Sequence, residues 1–192
     1  MKGIELLTRL QEIGKSFYSV ADLEKITGLS RPSLYVALKR WVEAGYIEKV
    51  GRGLYVPMRS SAGVENIAAQ LYVPNYLSFE SALSAHGILN LIPYTVTFAT
   101  RRKTRRYAVR GREVVFRKMA QELFFGYELR DKVLIAYPEK AFLDMVYLVS
   151  RGKANIDFDE MDFKLLSLKV LKRASKKFPH YVEERVEKLL MR

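Results

Sequence analysis

Cysteine is absent from this 192-residue sequence. Disulfides, thiolate metal sites and cysteine nucleophiles are therefore excluded. Histidine is almost absent too, with only His86 and His180. No partner carboxylate or histidine cluster lies near His86 in sequence, so it reads as a helix C-terminal residue making a local hydrogen bond, not as a metal ligand or general base. No apolar run approaches the roughly 18 residues that a membrane-spanning helix needs. The first ten residues already mix polar and apolar types, so no signal peptide is read and a soluble, cytoplasmic protein is expected. Walker loop, GxSxG elbow, dinucleotide fingerprint and internal repeat are all missing. Asparagine and glutamine are scarce, a composition that points weakly to a heat-adapted source. Acidic residues are outnumbered, 21 against 33 basic, for a net charge of +12. That balance favours polyanionic partners, nucleic acid first.

What is present is concentrated in residues 19–56, SVADLEKITGLSRPSLYVALKRWVEAGYIEKVGRGLYV. Ser19 with Asp22 forms a helix-start signal, and Gly28 can end that helix in a left-handed conformation. Ser30 is the next N-cap, and Pro32 suits a first turn because its missing N–H is not needed there. The second helix is expected over 31–44. Leu34, Ala37, Leu38 and Trp41 recur at i, i+3, i+4 and i+7, an apolar stripe on one face. Arg31, Ser33, Tyr35, Lys39 and Arg40 lie on the other. Tyr46 to Val50 and Leu54 to Val56 then read as a hairpin with Arg52 between two glycines at its tip. Helix, turn, helix and hairpin in that order predict a winged helix-turn-helix. With the second helix in a major groove, Arg31 can donate two hydrogen bonds to guanine. Ser30 and Ser33 can donate to phosphate, Tyr35 and Lys39 lie along the same side, and Arg52 can reach a minor groove or phosphate. These six are the expected DNA contacts. Before them, residues 1–14 predict a first helix with Ile4, Leu7, Leu10, Gln11 and Ile13 on its face. Residues 16–19 are expected to be extended and to pair with the wing.

The stretch PMRSSAG at 57–63 reads as a short hinge, so the domains are expected at 1–58 and 64–192. The second is expected to be mixed α/β with a small sheet and C-terminal helices, making the whole chain α+β. A helix is expected over 64–72, and another is capped by Ser78 and ended by Gly87. Strands are expected at 95–100 (Val96 and Phe98 on one side), 107–109, 113–116 and 133–136. A helix starts at Pro138, and two more close the chain at 163–175 and 181–191. Between 101 and 118 nine basic residues face Glu113 alone, +8 of the chain's +12. Arg101, Arg102, Lys103, Arg105, Arg106, Arg110 and Arg112 are thus candidates for phosphate or acidic-partner contacts, with salt-sensitive binding. Catalytic residues, metal and cofactor are not expected. Glu139 and Asp144 lie five apart on one helix and do not converge as nuclease carboxylates must. Asp157-Phe158-Asp159 lacks a preceding Gly-Ser turn and reads as a helix-capping acidic turn.

YLSFESALSAHGIL (76–89), TVTFAT with its following arginines, and AYPEKAFLD (136–144) resemble the AbiEi-like antitoxins of type IV toxin–antitoxin systems. The resemblance runs from the winged helix through Asp144. It implies a winged-helix repressor that binds double-stranded operator repeats upstream of its own gene. It also implies a second domain that counters an AbiEii-like nucleotidyltransferase toxin without a stable complex. The family motifs here are mostly apolar and carry over no catalytic residue. Two other readings stay open: an orphan regulator whose second domain senses a ligand or joins subunits, and a nucleic-acid enzyme using the basic hairpin.

Overall fold

A computed structural model describes residues 1–60 and 62–191. It resolves into two compact units, 1–70 with 107–112, and 71–106 with 113–192. The hinge expected at 57–63 falls inside the first unit, because the helix that follows it (64–71) is grouped there up to residue 70.

The first unit begins with α1 (Gly3–Ile13), which buries Leu6, Leu7 and Leu10. The expected stripe is thus rotated. Leu6 is inside while Ile4 and Ile13 stay exposed, since Leu6, Leu7 and Leu10 share the i, i+1, i+4 face. The short strand β1 (Tyr18–Ser19) leads into α2 (Val20–Thr27) through a complete capping box. The Ser19 hydroxyl accepts from the Asp22 amide at 3.1 Å, and the Asp22 carboxylate accepts from the Ser19 amide at 2.9 Å. Gly28 closes α2 at φ 68°, a conformation costly for residues with a Cβ. Next come α3 (Arg31–Glu43), β2 (Ile47–Gly51) and β3 (Leu54–Pro57). The sheet order is β1-β3-β2, antiparallel throughout, so residues 18–19 pair with the wing as expected. One core joins Leu6, Leu10, Leu23, Leu34, Leu38 and Trp41, and it fixes α3 with its apolar stripe inward. α4 (Val64–Leu71) follows.

Lys15 adds a third member to the capping box. Its ammonium lies 2.8 Å from Asp22. Hydrogen bonding from Lys15, then from the Ser19 hydroxyl and amide, holds the Asp22 carboxyl at about 2, below its ordinary 3.8. The folded unit therefore binds fewer protons than the unfolded chain in that window, so this contribution is present above pH 3.8 and is lost as pH falls toward 2. Asp22→Asn is expected to flatten the acid limb of unfolding there, read by the fluorescence of Trp41, the chain's single tryptophan. An unchanged acid limb would show that the cap does not carry this linkage.

The second unit is built on strands of a six-stranded sheet in the order β6-β7-β5-β4-β9-β8, of which residues 107–109 and 112 are grouped with the first unit. The strands are β4 (Asn75–Leu77), β5 (Val96–Thr100), β6 (Arg105–Val109), β7 (Arg112–Lys118), β8 (Tyr127–Arg130) and β9 (Val133–Ala136). β5 pairs parallel with β7, and β4 pairs parallel with β9. β5 is buried at every residue, not on one side only. Thr97 is tolerated inside because its hydroxyl donates to the Ser78 carbonyl at 2.9 Å. β4 and β8 lie outside the expected strands. The helices are α5 (Phe79–Ala85), α6 (Pro138–Ser150), α7 (Leu168–Ser175) and α8 (His180–Leu190). α6 packs against α5, α7 and α8. The helix expected over 163–175 is broken. Asp162 caps a single 3₁₀ turn at Phe163–Leu165, and Ser167 caps α7 afresh. Asp157 caps a turn at Phe158–Glu160, as its sequence suggests. No helix among the described residues is long and apolar enough to cross a membrane.

Candidate nucleic-acid interface

Because Leu34, Ala37, Leu38 and Trp41 are buried, the opposite face of α3 is free for contact. Arg31, Ser33, Tyr35, Lys39 and Arg40 are all exposed on it. Ser30 holds the N-cap position, but its hydroxyl meets the Ser33 hydroxyl at 3.1 Å and does not cap the helix. Two small hydroxyls therefore sit together at the N-terminal end of α3. Arg31 Nε donates to Glu24 of α2 at 3.2 Å, an open, half-solvated pair that a nucleic-acid acceptor can displace. Lys39 lies 3.9 Å from Glu43, a still more exposed helical pair. Arg52 stands exposed in the wing turn and makes no ion pair among the described residues.

Sequence reasoning missed one member of this face. Val36 is 61% exposed beside Tyr35 at 56%. An exposed valine and tyrosine on a helix whose other face is apolar are costly to solvate and suited to thymine methyl contact. The signal was available, because Val36 falls off the Leu34–Trp41 stripe.

The basic segment is distributed differently from an open comb. Arg101 lies over the Phe124 ring at 5.4 Å, and Arg102 and Arg105 lie over Tyr72 at 4.4 and 5.2 Å. Lys103 is exposed without an ion pair among the described residues. Arg106 pairs with Glu113 at 2.8 Å. The Arg110 amide donates to Glu48 at 2.8 Å and its guanidinium to the Ser60 carbonyl. Arg112 pairs with Glu65 at 3.3 Å. Most of these guanidinium groups are committed to rings, carboxylates or carbonyls of the protein itself. Apart from Glu113 for Arg106, their partners are far away in sequence, which is why the charge count alone overstated the free cation density.

α6 holds a buried polar cluster that the sequence reading weighed only as a failed nuclease site. Lys140 and Asp144, 3% and 0% exposed, form an ion pair one helical turn apart. Tyr76 and Ser78 donate to Asp144 Oδ2 at 2.9 and 2.8 Å, and Lys140 also donates to the Tyr76 hydroxyl at 2.8 Å. Ser78 thus occupies the N-cap of α5 but spends its hydroxyl on Asp144. The Lys140 ammonium is ringed by Phe125, Tyr76 and Phe178 at 5.0, 5.1 and 5.3 Å. Burial pushes the Asp144 carboxyl up, against the pull of Lys140, and pushes the lysine down. Burial raises Tyr76 as well, with Asp144 adding to it. The cluster is closed and its polar groups partner one another, so it locks α6 to β4. His86 is likewise structural, though not locally bonded. Its Nε2 donates to the carbonyl of Ala136, at the end of β9, at 2.8 Å. Among the described residues no group of three or more histidine, aspartate or glutamate side chains is placed to hold a metal ion.

A helix-turn-helix with its second helix bared on one side and a paired hairpin beside it defines a winged helix-turn-helix module. Residues 5–57, which span that module, match the family model described as "Transcriptional regulator, AbiEi antitoxin". This is the family that the sequence resembles, and the match falls on the winged helix, not on the second-unit segments quoted for the resemblance. The module is thus similar to that of a family of transcriptional regulators. No curated protein matches the chain.

Proposed function

We propose that this protein is a sequence-specific DNA-binding repressor of its own operon. The observation that carries the reading is the bared face of α3, where Ser30, Arg31, Ser33, Tyr35 and Lys39 are presented together by a buried apolar stripe. α3 lies in the major groove, with Arg31 on a guanine and the two serines and Lys39 on phosphate. Arg52 in the wing reaches the adjacent backbone or minor groove. Lys103 and displaceable guanidinium groups of the 101–112 segment add phosphate contacts or form the antitoxic surface. The second unit counters an AbiEii-like nucleotidyltransferase toxin encoded beside it, without a stable complex. The test is a reporter driven by the DNA upstream of the protein's own gene. Expression of the protein should repress it, and a variant lacking α3 side chains at 31 and 39 should not. Equal reporter output with and without the protein would contradict the reading.

A further inference from the structure

α3 carries apolar side chains on a side where the fold has no use for them. At about 100° per residue, Leu34, Ala37, Leu38 and Trp41 point inward, and Pro32, Val36, Lys39 and Glu43 fall along the line opposite, each of them exposed. Pro32 has a structural reason for its place, as a first-turn residue whose missing N–H is not needed. Val36 has none. Valine is a poorer helix former than alanine, lysine or glutamate, and at 61% exposure little packing offsets that cost. Pro32 and Val36 lie one turn apart on one face, so together they form a short apolar ridge in the N-terminal half of the helix. Arg31 and Tyr35 flank it on one side, Ser33 and Arg40 on the other. Farther along the same line come Lys39 and then Glu43, 3.9 Å apart. A carboxylate at the C-terminal end disfavours phosphate there, which leaves the N-terminal half, with its ridge, as the part that enters a groove deepest.

We propose that this ridge reads the 5-methyl group of thymine, with Val36 the residue that specifies a T·A pair in the target DNA. The inference rests on the reading of DNA by α3 and names a base which that reading requires. Of the four bases only thymine presents an apolar group, its methyl, on its major-groove edge. Val36 is stiff at χ1 in a helix, so it presents its own methyls with little rotamer freedom to lose. It neither donates nor accepts a hydrogen bond. A cytosine amine or a guanine carbonyl facing it would lose water without gaining a partner, so rejection of the wrong pair adds to attraction for the right one. Arg31 selects guanine by hydrogen bonds, so the two residues select different base pairs.

The test uses uracil, which pairs with adenine as thymine does and lacks only the methyl. Fluorescence anisotropy of the full-length protein is measured on the DNA upstream of its own gene, on the same duplex with each thymine replaced in turn by deoxyuridine, and on a scrambled duplex. At one or more of the replaced positions affinity should fall about fourfold, the equivalent of about 0.8 kcal/mol for one buried carbon. Val36→Ala should bind the unmodified duplex more weakly by a similar factor and be indifferent to uracil at those positions. Its melting temperature should be unchanged or higher, because alanine is the better helix former at an exposed position, so the weaker binding is not a folding defect. A flat uracil scan on a duplex that the protein still prefers to scrambled DNA would overturn this proposal and leave sequence reading by α3 standing. So would uracil sensitivity that survives in Val36→Ala, which would put the methyl contact on another residue. Equal binding of the unmodified and scrambled duplexes would overturn both.

Discussion

Arg31→Ala is expected to reduce the preference of the protein for the DNA upstream of its own gene by about 10–100-fold, the equivalent of about 1–3 kcal/mol for a lost bidentate guanine contact. The residue is exposed and its one ion pair is with the half-exposed Glu24. Stability should therefore change little, and the loss will belong to recognition, not to folding. Lys39→Ala should act differently. A lysine on phosphate weakens binding to all sequences alike and lowers the salt slope by about one. The double variant should show no residual preference. Glu24→Gln supplies a change of opposite sign. It releases Arg31 from its 3.2 Å hydrogen bond and removes a negative charge facing the phosphates. Binding should tighten a few-fold. Fluorescence anisotropy on own-upstream and scrambled DNA reads all four proteins. An Arg31→Ala protein with unchanged preference would mean that α3 is not docked by its N-terminal end.

Asp144→Ala is expected to destabilise the second unit by about 3–5 kcal/mol, the cost of leaving a buried charge without its partner. The reason is geometric. With the carboxylate gone, the Lys140 ammonium keeps only the Tyr76 hydroxyl and the faces of three rings. Gly126, at φ 73°, packs against the Lys140 side chain, and a Cβ there would lie 3.1 Å from Lys140 Cγ. Lys140→Met should cost less in acid than at neutral pH. In that variant only the Ser78 and Tyr76 hydroxyls still oppose the burial that raises the Asp144 carboxyl above its ordinary 3.8. The folded state then binds more protons than the unfolded one, so the contribution is present below pH 3.8 and is lost as pH rises through the folded-state value. Urea unfolding at several pH values measures both effects. A midpoint for Asp144→Ala close to that of the unaltered protein would show that the pair does not hold α6 in place.

The winged helix was legible because each of its signals is local. Ser19 and Asp22 sit three apart, Gly28 and Gly45 both take positive φ, and the 34–41 stripe fits one helix face. A hairpin with a glycine-flanked arginine needs nothing distant to form. The first helix was read at the right place but in the wrong phase, since Ile4 and Leu6 are equally apolar and only the tertiary core distinguishes them. In the second unit, local signals found the helix starts at Phe79 and Pro138 and missed what joins them. Lys140 and Asp144 look like surface charges on one turn until Tyr76 and Ser78, more than sixty residues earlier, are brought onto them. The same holds for the arginines. Glu80 for Arg117 and Glu65 for Arg112 are 37 and 47 residues away, so their neutralisation is a product of the fold. Strand β8 was missed because its apolar–polar alternation runs for only four residues, Tyr127 to Arg130, which are largely exposed at the sheet edge.

The central claim is that α3 and the wing read a DNA sequence. The most direct measurement is fluorescence anisotropy of the full-length protein with the DNA upstream of its own gene and with a scrambled duplex of equal length, across a salt series. Persistent preference for the native sequence at physiological salt, with both affinities falling as salt rises, is the expected result. Equal affinity for the two duplexes, vanishing together with salt, would contradict the claim and reduce the positive surface to a general polyanion patch.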